Sequence, residues 1–300
     1  MALWLRHLLS QITMSLAEVL DFEGSLMTSG EKLEIEQAFR SYHVLVLRDQ
    51  TMTASQLSEF SRKLGPLEQP INTLYLHPES SDVLILSNEI RPDGTAVGVV
   101  DGGDGWHSDS SHQPEPAKAT ILQSIKNPDV GGDTLYCNMH MVFDALPETT
   151  RSKVVRKFGV NNVSKVLNPR VKISDARPDA KEFYQAALTK YPSVLQPLVR
   201  THPETGRQSL YCSPRFTIGI QDMDDTEAQP LLDELFEFIY DEKFQYRHTW
   251  SANDMVIWDN RCLNHKATGN LAPGDIRRMH RTVLRGDSAY YDPEGRPRRQ

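Results

Sequence analysis

Residues 106–109 read WHSD, and far downstream residues 277–281 read RRMHR. In an extended segment, side chains two apart project to the same side, so His107 and Asp109 can bind one ion from adjacent positions. A third ligand must then come from elsewhere in the chain. Two histidines and a carboxylate on one face of a metal leave the opposite positions open, the arrangement of non-haem Fe(II) oxygenases. Imidazole and carboxylate without thiolate also argue against a structural zinc site. In RRMHR the same period of two puts Arg277, Met279 and Arg281 on one face, with Arg278 and His280 on the other. Arg277 and Arg281 lie roughly 13 Å apart along such a strand. That separation suits two anions better than one, and a bidentate carboxylate is the natural partner of a buried guanidinium. Taken singly, WHSD reads as a surface histidine beside a turn, and RRMHR as a solvated arginine-rich strand. The joint pattern carries the weight.

Outward from these motifs, strand signals and capped helices alternate irregularly, which predicts α+β, mainly β, more than a βαβ series. A helix is expected around 31–40, with Ile35, Ala38 and Phe39 on one face, followed by an apolar strand at 44–47. Thr53 with Gln56 forms a capping-box pattern ahead of the stripe Leu57, Phe60, Leu64, and Gly65-Pro66 stops that helix. A second capping box, Thr226 with Gln229, opens a helix with Pro230 in its first turn. Strands are expected at 83–86, 244–250, 255–258 and 281–284. Many strands with few long helices favour a sandwich or jelly roll with flanking helices. The polar stretches 71–105 and 165–196 read as long loops over one face, the first a candidate lid, and the tail 292–300 reads as disordered.

Three hundred residues, 39% of them apolar, are enough for a full core, and without a linker or charge block the chain reads as a single domain over 1–300. With 33 basic against 40 acidic residues and a net charge of -7, there is no basic stripe for a phosphate backbone, so nucleic acid is not an expected partner. Cys137, Cys212 and Cys262 are an odd, widely spaced set that suits reduced thiols in a cytoplasmic protein. Trp4, Leu5, Leu8, Leu9 and Ile12 recur at helical spacing, but Arg6 and His7 interrupt them; the segment reads as amphipathic and not as a secretion signal. No apolar run reaches the roughly 20 residues that span a membrane.

WHSDSSH at 106–112, GGDT at 131–134, WDNRCLNH at 258–265 and RRMHR, in this order, resemble the taurine/2,4-dichlorophenoxyacetate (TauD/TfdA) family of Fe(II)- and 2-oxoglutarate-dependent dioxygenases. The resemblance runs from about Val44 to about Asp287 and implies a double-stranded β-helix, or jelly roll, with flanking helices and lid loops. It implies that His107, Asp109 and His265 bind iron and that Thr134 and Arg277 hold the distal carboxylate of 2-oxoglutarate. Arg281 matches an arginine that meets the substrate's acidic group in several members, and Trp258 an aromatic residue close to the metal. Thr134 can donate to a carboxylate that Arg277 already neutralises. Relatives that halogenate lack the carboxylate ligand, so Asp109 implies hydroxylation.

The reaction implied consumes O2 and 2-oxoglutarate, releases succinate and CO2, and hydroxylates a small anionic substrate. Where the hydroxylated carbon also bears an oxygen or sulfonate, the alcohol collapses and releases a fragment. SDSS after Trp106 favours an aryloxyalkanoate, although His112 stands where an aromatic is common; a taurine-like sulfonate is the alternative. Self-association as a dimer or tetramer is implied by the family alone. Two rivals remain, a zinc hydrolase on the same three ligands and a non-catalytic jelly-roll protein that captures acidic ligands. The hydrolase gives no reason for two same-face arginines and predicts zinc-supported turnover without oxygen, and the binding protein predicts ligand uptake with no succinate formed.

Overall fold

A computed structural model describes residues 17–20, 27–70, 73–100, 103–164, 186 and 188–298. The N-terminal amphipathic segment and most of 165–196 lie outside the described residues. A large sheet contains β1 (Ala17–Leu20), β2 (Val44–Leu47), β3 (Leu76–His77), β4 (Ser80–Ser87), β5 (Ala119–Lys126), β13 (Met255–Asp259) and β15 (Arg278–Leu284). Their spatial order is β1-β2-β13-β5-β15-β4-β3, antiparallel except for the β1–β2 pair. A smaller antiparallel sheet faces it, with β6 (Thr134–Asn138) between β12 (Gln245–His248) and β14 (Leu263–Ala267). Two further small sheets consist of β7 (Phe158–Asn161), β8 (Val194–Pro197) and β11 (Thr217–Ile220), and of β9 (Val199–Thr201) with β10 (Gln208–Leu210).

Alternation along the strands decides what each face meets. Val44, Val46, Leu84, Leu122, Val256, Trp258 and Met279 pack towards the smaller sheet, against Tyr136 and Leu263. Their neighbours Leu45, Leu47, Ile121, Met255, Ile257 and Leu284 pack the other way, against Ile35 and Phe39 of helix α1 (Ser29–Tyr42) and Leu57 and Phe60 of α2 (Ala54–Leu64). Strand β2 and the first four residues of β13 are therefore apolar at every position. On the far side of the smaller sheet, Leu135 and Cys137 meet Val142 and Phe143 of α3 (Met139–Ala145) and Leu232 and Leu235 of the long helix Asp225–Tyr240. A short helix α4 (Glu148–Val154) follows α3, which makes the long helix α5. The architecture is mainly antiparallel sheet with flanking helices.

The capping box of Thr53 and Gln56 is present, and α1 carries a second, Thr28 with Glu31. The start of α5 differs from the sequence expectation. Asp224, not Thr226, is the N-cap: its carboxylate accepts from the amides of Thr226 and Glu227, and the negative charge suits the positive helix end. Pro230 consequently sits beyond the first turn, where a bond to Thr226 O is forgone. The segment 88–100 is not a loose loop but lies back on β4, with Val99 N–H donating to Ile85 O at 2.9 Å and Ser87 N–H to Val99 O at 3.1 Å. A side chain at Gly98 would come within 2.7 Å of Ile85 O, so the close approach requires glycine there.

In place of disorder, the tail through Arg298 runs beside β9. Asp292 N–H donates to Thr201 Oγ1 at 2.8 Å and Arg298 N–H to Pro203 O at 3.0 Å. Both bonds use main-chain N–H donors, which the polar composition of the segment does not reveal. Among the described residues no helix is long and apolar enough to cross a membrane.

Candidate active site

The WHSD segment and strand β14 meet in a single antiparallel bridge between the two histidines. His107 N–H donates to His265 O at 3.0 Å, and His265 N–H to His107 O at 2.8 Å. Two candidate ligands 158 positions apart are thus fixed by main-chain bonds to each other, with ring centroids 4.2 Å apart. His107 Nδ1 bonds to the carbonyl of Gly105 at 2.8 Å, so it carries the proton and leaves Nε2 with its lone pair. That Nε2 lies 3.7 Å from one Asp109 oxygen, and His265 Nε2 lies 3.7 Å from the other. The candidate ligand atoms of all three residues lie within 4.8 Å of one another, and all three are buried. His265 is held by its neighbours' rings, Trp258 at 4.7 Å and Tyr136 at 6.3 Å.

Asn260 organises the carboxylate and is a residue that motif reading passed over. Its Oδ1 accepts from Asp109 N–H and Trp258 Nε1, both at 3.1 Å, and its backbone carbonyl accepts from Ser108 Oγ at 2.6 Å. Its Nδ2 donates to Thr120 Oγ1 at 2.9 Å, and Thr120 in turn donates to Asp109 Oδ2 at 2.6 Å. Every polar atom of the Asn260 side chain is engaged, so the turn carrying Asp109 has one placement. The signal was WDN directly ahead of the third ligand, but a buried asparagine announces no partner from sequence. Trp258, expected near the metal, meets the candidate ligands through this amide and by packing on His265.

Burial pushes both imidazoles down: His265 to about 4, with the charges of Arg281 and Arg215 adding to the effect, and His107 further still, helped by His265. Burial alone would raise the Asp109 carboxyl, but the two imidazoles once protonated, the Arg281 charge and the Thr120 hydrogen bond hold it below the usual carboxylate range. Two neutral imidazoles and an ionised carboxylate are the protonation states that a divalent cation needs.

Beyond the ligands, Arg277 Nε donates to Gly132 O at 3.0 Å and its guanidinium lies 5.7 Å above the Trp250 ring. Trp250 Nε1 donates to Thr134 Oγ1 at 3.0 Å, which brings Thr134 and Arg277 to one spot. Gly132, at φ 72°, is required: a Cβ there would stand 2.8 Å from Arg277 Cδ. Burial pushes the guanidinium down to about 10, and among the described residues no carboxylate lies within ion-pair distance of it. Arg281 faces the same side of the sheet as Met279, as its period predicts, and its guanidinium lies 3.6 Å from Asp109. Its Nε is buried with no hydrogen-bond partner among the described residues. A cavity of about 230 Å³ opens at the ligands and is lined by Arg281, Arg215, Phe216, His112, Glu68 and Leu84, among others.

A second cluster, His43, His202, Asp259 and Cys262, also brings potential ligand atoms within 4.8 Å of one another. Here Arg261 donates to both Asp259 oxygens, at 2.8 and 2.7 Å, and His202 Nε2 bonds to Oδ2 at 3.0 Å. His202 Nδ1 already accepts from the amides of Glu204 and Thr205. Burial pushes the Cys262 thiol up. The cluster is a closed ion pair, with Cys262 a buried, reduced thiol beside it.

The family described as "Taurine catabolism dioxygenase TauD, TfdA family" matches residues 11–283. The chain is 32% identical over 272 residues to the (S)-phenoxypropionate/alpha-ketoglutarate-dioxygenase of Sphingobium herbicidovorans, covering 86% of this chain and 87% of that one. It is 32% identical over 247 residues to the alpha-ketoglutarate-dependent 2,4-dichlorophenoxyacetate dioxygenase of Cupriavidus pinatubonensis, covering 79% and 83%. Among solved structures, a taurine dioxygenase from Burkholderia xenovorans superposes with a TM-score of 0.75 at 26% identity, covering 95% of this chain and 92% of its own. AAD-2 in complex with Mn(II) and N-oxalylglycine superposes equally well, at 0.75 and 28% identity, covering 97% and 100%. With a family match over residues 11–283 and relatives 32% identical over most of their length, this chain belongs to the TauD/TfdA family of Fe(II)- and 2-oxoglutarate-dependent dioxygenases.

Proposed function

We propose that this dioxygenase hydroxylates a small organic acid, with aryloxyalkanoates as the preferred class, on a single domain built as a double-stranded β-helix whose two facing sheets enclose the iron site. Its His107 Nε2, His265 and Asp109 hold Fe(II); Thr134 and Arg277 receive the distal carboxylate of 2-oxoglutarate; Arg281 faces the anionic group of the substrate. The observation that carries the reading is Arg277, a half-buried guanidinium beside the Thr134 hydroxyl with no carboxylate at ion-pair distance among the described residues. A partly desolvated cation of this kind favours an anion, and the flat two-oxygen geometry of a carboxylate matches its fork.

Iron and 2-oxoglutarate, when bound, supply the oxidising chemistry that turns O2 and 2-oxoglutarate into succinate, CO2 and one hydroxylated C–H bond. The chain supplies placement. Asn260 and Thr120 fix the carboxylate ligand, the histidine bridge fixes the imidazoles, and Leu84, Leu86, Val99 and Phe216 wall the cavity against water. The two relatives named for phenoxy acids favour the aryloxyalkanoate class, while the taurine dioxygenase neighbour keeps a sulfonate as the second reading. A cytoplasmic location and self-association belong to the same proposal.

Anaerobic addition of Fe(II) and 2-oxoglutarate should give the weak visible charge-transfer band of the metal chelate. A folded, metal-loaded protein without that band overturns the reading. Turnover supported by zinc without oxygen would favour a hydrolase instead.

A further inference from the structure

Arg281 is not the only guanidinium that lines the cavity. Arg215 stands at the apex of the turn 213–217, and that turn is tied down at every point. Thr217 N–H donates to Ser213 O at 2.9 Å, Ser213 N–H to Thr217 Oγ1 at 2.9 Å, and Phe216 N–H to Ser213 Oγ at 3.3 Å. Thr217 Oγ1 donates to Asn161 Oδ1 at 2.9 Å, anchoring the turn to β7. Arg215 N–H itself donates to Trp106 O at 3.3 Å, the carbonyl next to the first metal ligand. A turn held by this many bonds presents its apex residue with little conformational freedom, and here that residue opens into the cavity.

The two arginines occupy different sides of the centre. Arg281 lies 3.6 Å from Asp109, and its charge also reaches Glu68, so it already faces two carboxylates. Arg215 stands on the other flank, lining the cavity beside His107 and His112, with its N–H bonded to the carbonyl that precedes His107. Beside it, the Phe216 ring lies 4.8 Å from His112 and 5.9 Å from His107, and the remaining walls are largely aliphatic. Positive charge next to an aromatic and aliphatic surface fits an amphipathic acid, with its carboxylate at the guanidinium and its apolar body along Phe216.

We propose that Arg215 is a specificity-determining residue that binds the carboxylate of the prime substrate on the histidine side of the iron site, so that the substrate is gripped by Arg215 and Arg281 together. The inference rests on the dioxygenase reading above and assigns its substrate contact.

The test is equilibrium binding by calorimetry under anaerobic conditions, on protein loaded with Fe(II) and 2-oxoglutarate. The probes are 2,4-dichlorophenoxyacetate, 2-phenoxypropionate and the uncharged amide of each, with wild type, Arg215→Met and Arg215→Lys. Arg215→Met should weaken binding of at least one acid by tenfold or more, leave the amides and 2-oxoglutarate within about twofold, and preserve the melting temperature; Arg215→Lys should recover part of the loss. Equal changes for acid and amide, no change for either, or a loss confined to 2-oxoglutarate would each overturn the assignment. Wild-type protein that takes up 2-oxoglutarate but neither acid also overturns it, while leaving the dioxygenase reading intact. Wild-type protein that fails to take up 2-oxoglutarate brings down that reading instead.

Discussion

Two buried clusters in this protein contain nearly the same chemistry and are built for opposite ends. His107, Asp109 and His265 lie around a cavity; His43, His202, Asp259 and Cys262 surround nothing. The difference is Arg261, whose fork closes on both oxygens of Asp259, while the corresponding arginine at Asp109, Arg281, stops at 3.6 Å. A carboxylate already satisfied by a guanidinium has no charge left for a cation. A carboxylate steadied only by a hydroxyl and distant charges keeps it. Ligand types therefore do not define a metal centre until counter-charges are placed.

The comparison is broken most directly by removing each carboxylate in turn. Asp109→Ala should abolish iron-dependent turnover and iron binding in a titration, with little loss of fold. Asp259→Ala should leave one metal site per folded chain but destabilise the protein by about 3 to 5 kcal/mol, the usual cost of stranding one member of a buried pair. Denaturant melts and metal stoichiometry read both. If Asp259→Ala instead removes the metal, the two clusters have been assigned the wrong way round.

Next in size are the two arginines of the RRMHR strand. Arg277→Ala should raise the 2-oxoglutarate requirement by about 2 to 5 kcal/mol in apparent affinity. Arg281→Ala should spare cosubstrate binding, weaken the prime substrate and leave succinate release without matching hydroxylation. Titrations of 2-oxoglutarate followed by the chelate band distinguish them, and equal losses in both variants defeat the division of labour.

A smaller effect is expected at Asn260. Asn260→Ala leaves all three ligands but frees the turn that carries Asp109, and loss of such an orienting partner typically costs about 10- to 100-fold in metal affinity or activity. Unchanged iron affinity would mean that the turn is held by something other than this amide.

The closed cluster also sets a pH dependence. Burial pushes His43 down to about 4 and His140, whose ring lies 5.2 Å away, to about 3, against an ordinary value of 6.5. The unfolded chain takes up these protons near pH 6.5, and the folded chain refuses them until near pH 4 and 3. Stability should therefore fall as pH drops through that window. His43→Asn suits the left-handed backbone at φ 64° and removes one of these groups, so it should flatten the fall. Chemical melts across pH 4 to 7 with the same slope in both proteins would contradict this.

Part of the site was legible from local period: His107 and Asp109 are two apart and turn to one point, and Arg281 shares a face with Met279, whereas Arg277 precedes β15 and a register shift between Arg278 and Met279 interrupts the expected alternation. The third ligand, His265, was reached only through the family resemblance of WDNRCLNH, since nothing within that segment says which distant residue it meets. Asn260 and Arg215 were missed for a related reason. Each acts through partners far away in sequence, and neither residue type is rare enough to stand out alone.

The fold follows the same division. Composition and alternation in the chain determined that strands such as Val44–Leu47 are apolar on both sides and that Thr53 opens a helix, because burial periodicity and capping are local. Tertiary structure decided which sheet face meets which layer, that Asp224 outcompetes Thr226 as a cap, that the tail lies on β9, and that one carboxylate is sealed by arginine while another is left for a metal. Those outcomes depend on long-range pairing of charges and hydrogen bonds, whose energies exist only once the chain has brought the groups together.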